Sequence, residues 1–443
     1  MNKKYRTGIA SMALMIILSI PVNCQNDQGK NSFTSDSVSL KSVIDEVIKT
    51  HPTVKGAEEA LRNADARIGL ARTGYYPVID AGADYSNIGP LMKITIPNMG
   101  TFQLYPENNY SAEIDYRQVI YDFGRTRTNI QIETEGKAIG EKTLDQTRQI
   151  MALATINNFY TLAYLQSAIV IKDEELKTLQ AHLKYVETMK ATGAATDYEV
   201  LTTKVKISSA ESQKSDLLAA LAIQQSYLSC LTGRENWLPV VREELEASAQ
   251  EASRDSLLTF AYHNRDEMAI NSEKAIVAGL RYQQIKAQDK PVINFMASGG
   301  AKNGYLPNLD KITPNYVVGV NISVPIFSAM KTKYNLLQAK STINTLNYET
   351  ENTKRNITSE VREAEEYVAS ARQKEAQFTL QLEQAQKAFS LAEISYESGT
   401  ITNLELLDAS TTVSESRLML LKSKIDLVAS IYRLKAALGE RLY

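Results

Sequence analysis

The chain is poor in the residues that most often carry chemistry. Its 443 residues include two cysteines, one tryptophan and three histidines. Two cysteines, Cys24 and Cys230, exclude a disulfide scaffold. Cys230 sits in an apolar helical stretch and is expected to be a core thiol. The histidines (His51, His182, His263) are scattered, and His182 falls mid-helix among charged neighbours. There is no metal-ligand spacing, Walker loop or dinucleotide glycine motif. With no catalytic constellation, the chain is not read as an enzyme and no cofactor is expected. Charge is balanced, with 49 Lys and Arg against 51 Asp and Glu, a net −2. No basic face forms, which argues against nucleic acid. Beyond the N-terminus no apolar run reaches the roughly 20 residues of a membrane helix. Any membrane crossing must therefore use strands.

The N-terminus reads as a secretion signal over residues 1–24. Lys3, Lys4 and Arg6 precede an apolar stretch from Ile9 to Ile20 that is too short to span a bilayer. Cleavage before Cys24 would make it a lipid-anchor site, although Pro21-Val22-Asn23 is a poor lipobox. Ordinary cleavage nearby would remove Cys24. A polar leader, 25–37, follows.

The rest of the chain is written twice. Gly193 answers Gly399 and Leu201 answers Leu407, each 206 apart (399−193, 407−201). Upstream, Pro77 answers Pro291 at a spacing of 214 (291−77), so the first copy holds eight extra residues (214−206) between Pro77 and Val119. A repeat this long is a duplicated half and predicts pseudo-symmetry. The repeats are placed at 38–240 and 255–443, joined by a linker or equatorial segment at 241–254.

Each copy predicts the same order of elements. The first has a helix over 38–73, strands over 77–89 and 109–122, a long helix over 125–191 and a shorter one over 197–232. The second has a helix over 255–289, strands over 292–299 and 315–327, and helices over 331–397 and 403–438. Leu162, Leu165, Leu176, Leu179, Leu183 and Val186 step by heptads, in phase with Val368, Ala371, Leu382, Ala385, Phe389 and Ala392. Such spacing means coiled-coil packing. At ~1.5 Å per residue, each long helix would reach roughly 100 Å and needs partners along its length. The helices before the strands and after the turn, stacked end to end, match it.

The strands alternate. Tyr110, Ala112, Ile114 and Tyr116 face one way, while Ser111, Glu113, Asp115 and Arg117 face the other. Tyr-flanked apolar residues opposite polar ones are the pattern of an outer-membrane strand, with lipid outside and water inside. Four strands cannot close a barrel, and open edges cannot face lipid. Several chains must then share one barrel.

From residue 38 to the C-terminus the chain resembles the TolC-like outer-membrane efflux channel family. The resemblance rests on the duplication and on Tyr396-Glu397-Ser398-Gly399 followed by Leu404-Glu405-Leu406-Leu407-Asp408-Ala409-Ser410-Thr411-Thr412. It also rests on Tyr121-Asp122-Phe123-Gly124-Arg125, a strand-to-helix junction. The second-copy partner of that junction, Phe327-Ser328-Ala329-Met330-Lys331, lacks the Asp and Gly, which blurs its boundary. The resemblance implies a mainly α fold with a small β part. A long coiled-coil α-barrel would join a transmembrane β-barrel that a homotrimer shares, four strands per chain. It implies a passive exit duct of a tripartite efflux or type I secretion system in a Gram-negative outer membrane, with a periplasmic tunnel. Its partners would be outer-membrane lipid, a periplasmic adaptor and an inner-membrane transporter of RND, ABC or MFS type. The runner-up is the periplasmic adaptor itself, which is also secreted and rich in helical hairpins but usually has one hairpin.

Site residues follow. Gly193 and Gly399 lie where the long helices reverse, and Gly allows positive φ there. With Thr196, Asp197, Thr400 and Asn403 they form the tips implied to dock an adaptor. Glu405 and Asp408 share a helix face. In a trimer they would ring the periplasmic entrance with carboxylates that attract cations, and their closeness would raise some pKa values. Tyr396 matches the family's gate-linking Tyr, with Glu199 near its acidic partner. Ile401 stands where the best-known family pattern has Arg, so one charged gate link is absent or replaced.

Overall fold

The computed structural model describes residues 38–97, 99–235, 237 and 253–443. The predicted signal segment with Cys24, the leader and nearly all of the linker lie outside the described residues.

One helix per copy, expected to be single, is broken. The first divides into α1 (Leu40–Thr50) and α2 (Pro52–Arg72) at His51, whose backbone is extended at φ −64 and ψ 129. The Pro52 ring disfavours helical backbone in the residue before it and suits the first helical position after it. In the second copy the break falls at Arg265, the counterpart of His51, between α5 (Arg254–Asn264) and α6 (Asp266–Ala287). No proline stands there. Arg265 instead spans Glu267, Glu360 and the Ala437 carbonyl. The chain end presses on the same point, since a Cβ on Gly439 would lie 2.8 Å from the Asn264 carbonyl carbon.

The long helices are α3 (Arg125–Ala191) and α7 (Lys331–Glu397), and the shorter ones α4 (Asp197–Thr232) and α8 (Asn403–Leu438). Their heptad faces are the buried ones. Leu162, Leu165, Leu179 and Val186 are buried in α3, and Ile357, Val361, Ala364 and Val368 in α7. Phe159 and Ile156 centre a cluster with Val43, Val47 and Leu228. Ile357 and Val361 centre another with Ile431 and Leu434. Cys230 is exposed rather than a core thiol, because Leu228 and Leu231 take the inward-facing positions of that turn.

The strands form one antiparallel sheet in the order β1 (Val78–Asn87), β4 (Asn108–Tyr121), β5 (Val292–Lys302) and β6 (Thr313–Ser323). The fourth strand starts and ends earlier than expected, and Pro325 bars its extension. The eight extra residues belong to a loop carrying a small hairpin that was not foreseen, β2 (Lys93–Ile96) and β3 (Gly100–Gln103).

The register puts whole rows on one face. Tyr116, Ile114 and Ala112 on β4 sit opposite Ile79, Ala81 and Ala83 on β1, and opposite Ala297, Gly299 and Ala301 on β5. Tyr316, Val318, Val320 and Ile322 of β6 continue that apolar face, and each is more than half exposed. Tyr85 with Tyr110 marks one end of the face, and Tyr116 with Phe295 the other. Six residues (116−110) separate these girdles on β4, or ~20 Å at the usual strand rise, close to the apolar height of an outer-membrane barrel. The opposite face is wet, with Asp80 paired to Arg117 at 2.8 Å beside Glu113, Asp115 and Ser298. No helix among the described residues is long and apolar enough to cross a membrane.

The two strand-to-helix junctions keep one backbone path. Phe123 and Gly124 have φ 55 and 87, and Ala329 and Met330 have φ 50 and 60. At the first, Asp122 accepts from Gly124 N, Thr126 N and the Thr126 hydroxyl. The second makes the same turn without Asp or Gly, so its boundary is as sharp.

Candidate functional site: the helical tips

Both long helices end in the same cap. At the first tip Gly193 (φ 78) follows Thr192, with Ala194 N donating to the Met189 carbonyl and Gly193 N to that of Lys190. At the second, Gly399 has φ 73, Thr400 N donates to the Ser395 carbonyl and Gly399 N to that of Tyr396. This paired pattern is the Schellman motif, and its left-handed residue favours Gly. Gly193, Thr196, Asp197, Gly399 and Thr400 are exposed, and Asp197 forms an ion pair with Lys190.

Both returning helices start with a capping box. Thr196 accepts from Glu199 N, and the Glu199 carboxylate accepts from Thr196 N at 2.7 Å. Thr402 and Glu405 repeat this, with Thr402 N donating at 2.7 Å. Each box satisfies two otherwise orphaned N–H groups. Glu199 and Glu405 were read for gating and charge, and both carboxylates are engaged in holding helix starts. The Thr-x-x-Glu spacing in both copies was the available signal.

The Thr402 backbone N–H, then the Thr402 hydroxyl, hold the Glu405 carboxyl below its ordinary value. Asp408 faces Lys206 of α4 at 2.8 Å, a partner the sequence reading missed. The side chains belong to different hairpins, so no local pattern announces the pair.

Tyr396 comes beside Glu199 as a charge. Burial first, then the Glu199 negative charge and Tyr185, push its hydroxyl above the ordinary phenol value. Among the described residues no hydrogen bond joins Tyr396 to Glu199; the Glu199 carboxylate binds Thr196 instead. The stronger interhairpin contact is one the sequence did not suggest. His182 of α3 meets Asn403 of α8, Nε2 to Oδ1, at 2.6 Å. The His182 ring also lies 5.6 Å from that of Tyr396 and 6.3 Å from that of Tyr185. Asn403, expected among the docking residues, is 2% exposed and so offers no surface to an adaptor. Its amide is held inside the chain, because the first hairpin wraps it from α3 and α4.

A duplicated chain of long helical hairpins, with a sheet dry on one face and wet on the other, belongs to the class of membrane channel components. The profile of the outer membrane efflux protein family matches residues 43–234 and 276–440. The chain belongs to this family. The solvent efflux pump outer membrane protein SrpC of Pseudomonas putida is 23% identical over 326 residues, covering 72% of this chain and 68% of that protein. Among solved structures, the outer membrane protein VceC of Vibrio cholerae matches with a TM-score of 0.74 and 18% identity, over 91% of this chain and 97% of that one. The open state of the Neisseria gonorrhoeae outer membrane channel MtrE matches with 0.74 and 18%, over 94% and 95%. The protein is an outer-membrane efflux channel of Gram-negative type, a passive exit duct rather than an enzyme, and works with pump components and adaptors. This decides between the duct and the adaptor in favour of the duct.

Proposed function

We propose that the protein works as a homotrimer whose three sheets close one β-barrel of twelve strands and whose helices form one tunnel through the periplasm. The observation that carries this reading is the open sheet. β1 and β6 are its free edges, and successive strands are antiparallel. With four strands per sheet, β6 of one copy and β1 of the next run antiparallel, so the alternation continues across every joint and the ring closes with no edge. Lipid would then meet only the face of Tyr316, Val318 and Val320.

The helices support the same assembly. Leu407 is 2% exposed against α3 of its own chain, whereas its counterpart Leu201 is 62% exposed. Pseudo-symmetry supplies a cover for Leu201, the α7 helix of a second copy. In this reading the two repeats span 38–240 and 255–443. The tip turns around Gly193 and Gly399 meet a periplasmic adaptor, which couples the duct to an inner-membrane transporter of RND, ABC or MFS type. Glu405 and Asp408 ring the entrance and favour cations, with Lys206 offsetting part of the charge. Tyr396 and Glu199 contribute to closure through charge and packing.

The test is the mass of the detergent-extracted protein by light scattering. Three times the 49.3 kDa chain mass, less any removed leader, is expected. A monomer, released without detergent, would overturn the shared barrel.

A further inference from the structure

We propose that the His182–Asn403 hydrogen bond is a latch that holds the periplasmic tip closed in this chain. The proposal rests on the duct reading above. It starts from placement. Asn403 is the first residue of α8, a position normally open to water, yet it is buried at 2%. It is buried because it enters the fork between α3 and α4 of the other hairpin.

The hydrogen bonds give the latch a direction. Asn403 Nδ2 faces acceptors only, the Glu199 carbonyl at 3.3 Å and the Thr202 and Thr203 hydroxyl oxygens at 3.4 and 3.3 Å. Both hydroxyls spend their own hydrogens on the Glu199 carbonyl. Asn403 Oδ1 is thereby turned toward His182 and must accept, so His182 Nε2 carries the hydrogen. One amide ties the second hairpin to both helices of the first.

The repeat shows that this is a specific device rather than generic hairpin packing. The counterpart of Asn403 is Asp197 (403−206), which is exposed and pairs with Lys190 of its own hairpin. The counterpart of His182 is Ala388 (182+206), which has no donor. The equivalent contact between chains thus lacks the latch, and a trimer holds three, each inside one chain. The bond is part-buried between the two hairpins.

The test is single-channel conductance of the purified trimer in planar bilayers for wild type, His182→Phe, His182→Gln and the His182→Phe/Asn403→Ala pair. Phe keeps a ring against Tyr185 and Tyr396 but cannot donate; Gln can. One neutral hydrogen bond is worth about a fivefold change in an equilibrium. His182→Phe should therefore raise open probability about fivefold if one latch must break, and about a hundredfold if all three must. His182→Gln should stay near wild type, and the double variant should open at least as far as His182→Phe, because Asn403→Ala also removes the Nδ2 bonds to α4. Trimer mass and helical content should be unchanged in His182→Phe. A conducting wild type with His182→Phe indistinguishable from it overturns the latch alone. So does His182→Gln opening as far as His182→Phe. Trimers that conduct in no form overturn the duct reading and the latch with it.

Discussion

Truncating Leu201 to Ala separates assembly from folding. Leu201 and Leu407 are the same position in the two repeats, and the protomer leaves one 62% exposed and the other 2% exposed. Full burial of a leucine side chain stabilises by about 1.5–3 kcal/mol, so covering the exposed part of Leu201 is worth about 1–2 kcal/mol per interface. A closed trimer has three such interfaces, so Leu201→Ala should weaken it by about 3–6 kcal/mol in total. At 1.4 kcal/mol per decade, trimer dissociation should rise by about two to four orders of magnitude. Leu407→Ala removes a side chain packed against Leu176 and Leu179 within one chain. That change should cost about 2–5 kcal/mol of fold stability as a core truncation. The assay is light scattering over a dilution series in detergent, with helicity followed by circular dichroism. Leu201→Ala should dissociate at higher concentration while keeping helical content, and Leu407→Ala should melt earlier. A Leu201→Ala trimer as resistant to dilution as wild type would refute the reasoning, because the pseudo-symmetric cover would then be absent.

Met330 holds a left-handed backbone (φ 60) that its counterpart Gly124 adopts without strain, and its side chain is 58% exposed. Met330→Gly should therefore stabilise by about 0.5 kcal/mol, the relief of strain slightly exceeding the added chain entropy; a lower melting temperature would contradict this. Replacing Glu405 with Gln and Asp408 with Asn should reduce cation preference in bilayers while keeping the second capping box, since Gln also serves at that position; unchanged reversal potentials in asymmetric salt would remove the entrance ring. Burial works against the Glu267 carboxylate, but bonds from Arg265 and Gln146 prevail and place it below its ordinary value. A depressed carboxylate contributes stability that is present above the unfolded value, about 4.3, and is lost as pH falls through the folded one. Glu267→Gln should accordingly melt earlier than wild type at neutral pH, with the gap closing as pH falls below about 4; a gap constant from neutral to acid pH would exclude the linkage.

What could be read without coordinates was set by short-range rules. Heptad steps from Leu162 to Val186 told which face of α3 is buried, and Gly193 and Gly399 told where the long helices stop. Alternation in Tyr110 to Arg117 told which side of β4 is dry. The break at His51 is legible in Pro52, which disfavours helical backbone in the residue before it. The break at Arg265 was not legible, because it depends on Glu360 and on Gly439, which lies far along the chain. The β2–β3 hairpin lies in the loop lengthened by the eight extra residues, whose count is legible in the repeat and whose pairing is not.

The tips show the division most clearly. The sequence by itself determined that the turns exist, that Glu199 and Glu405 stand three residues after a Thr, and that Glu405 and Asp408 share a face, since each depends on residues within one or two turns of helix. Only the tertiary structure decided that Asp408 meets Lys206, and that Asn403 is buried rather than offered to a partner. It also decided that His182, unremarkable in the middle of a helix, meets an amide 221 residues away. Those choices depend on how two hairpins lie against each other. Helical and strand periods carry no information about which neighbour a polar side chain will face, so the contacts that tie the hairpins together came from packing.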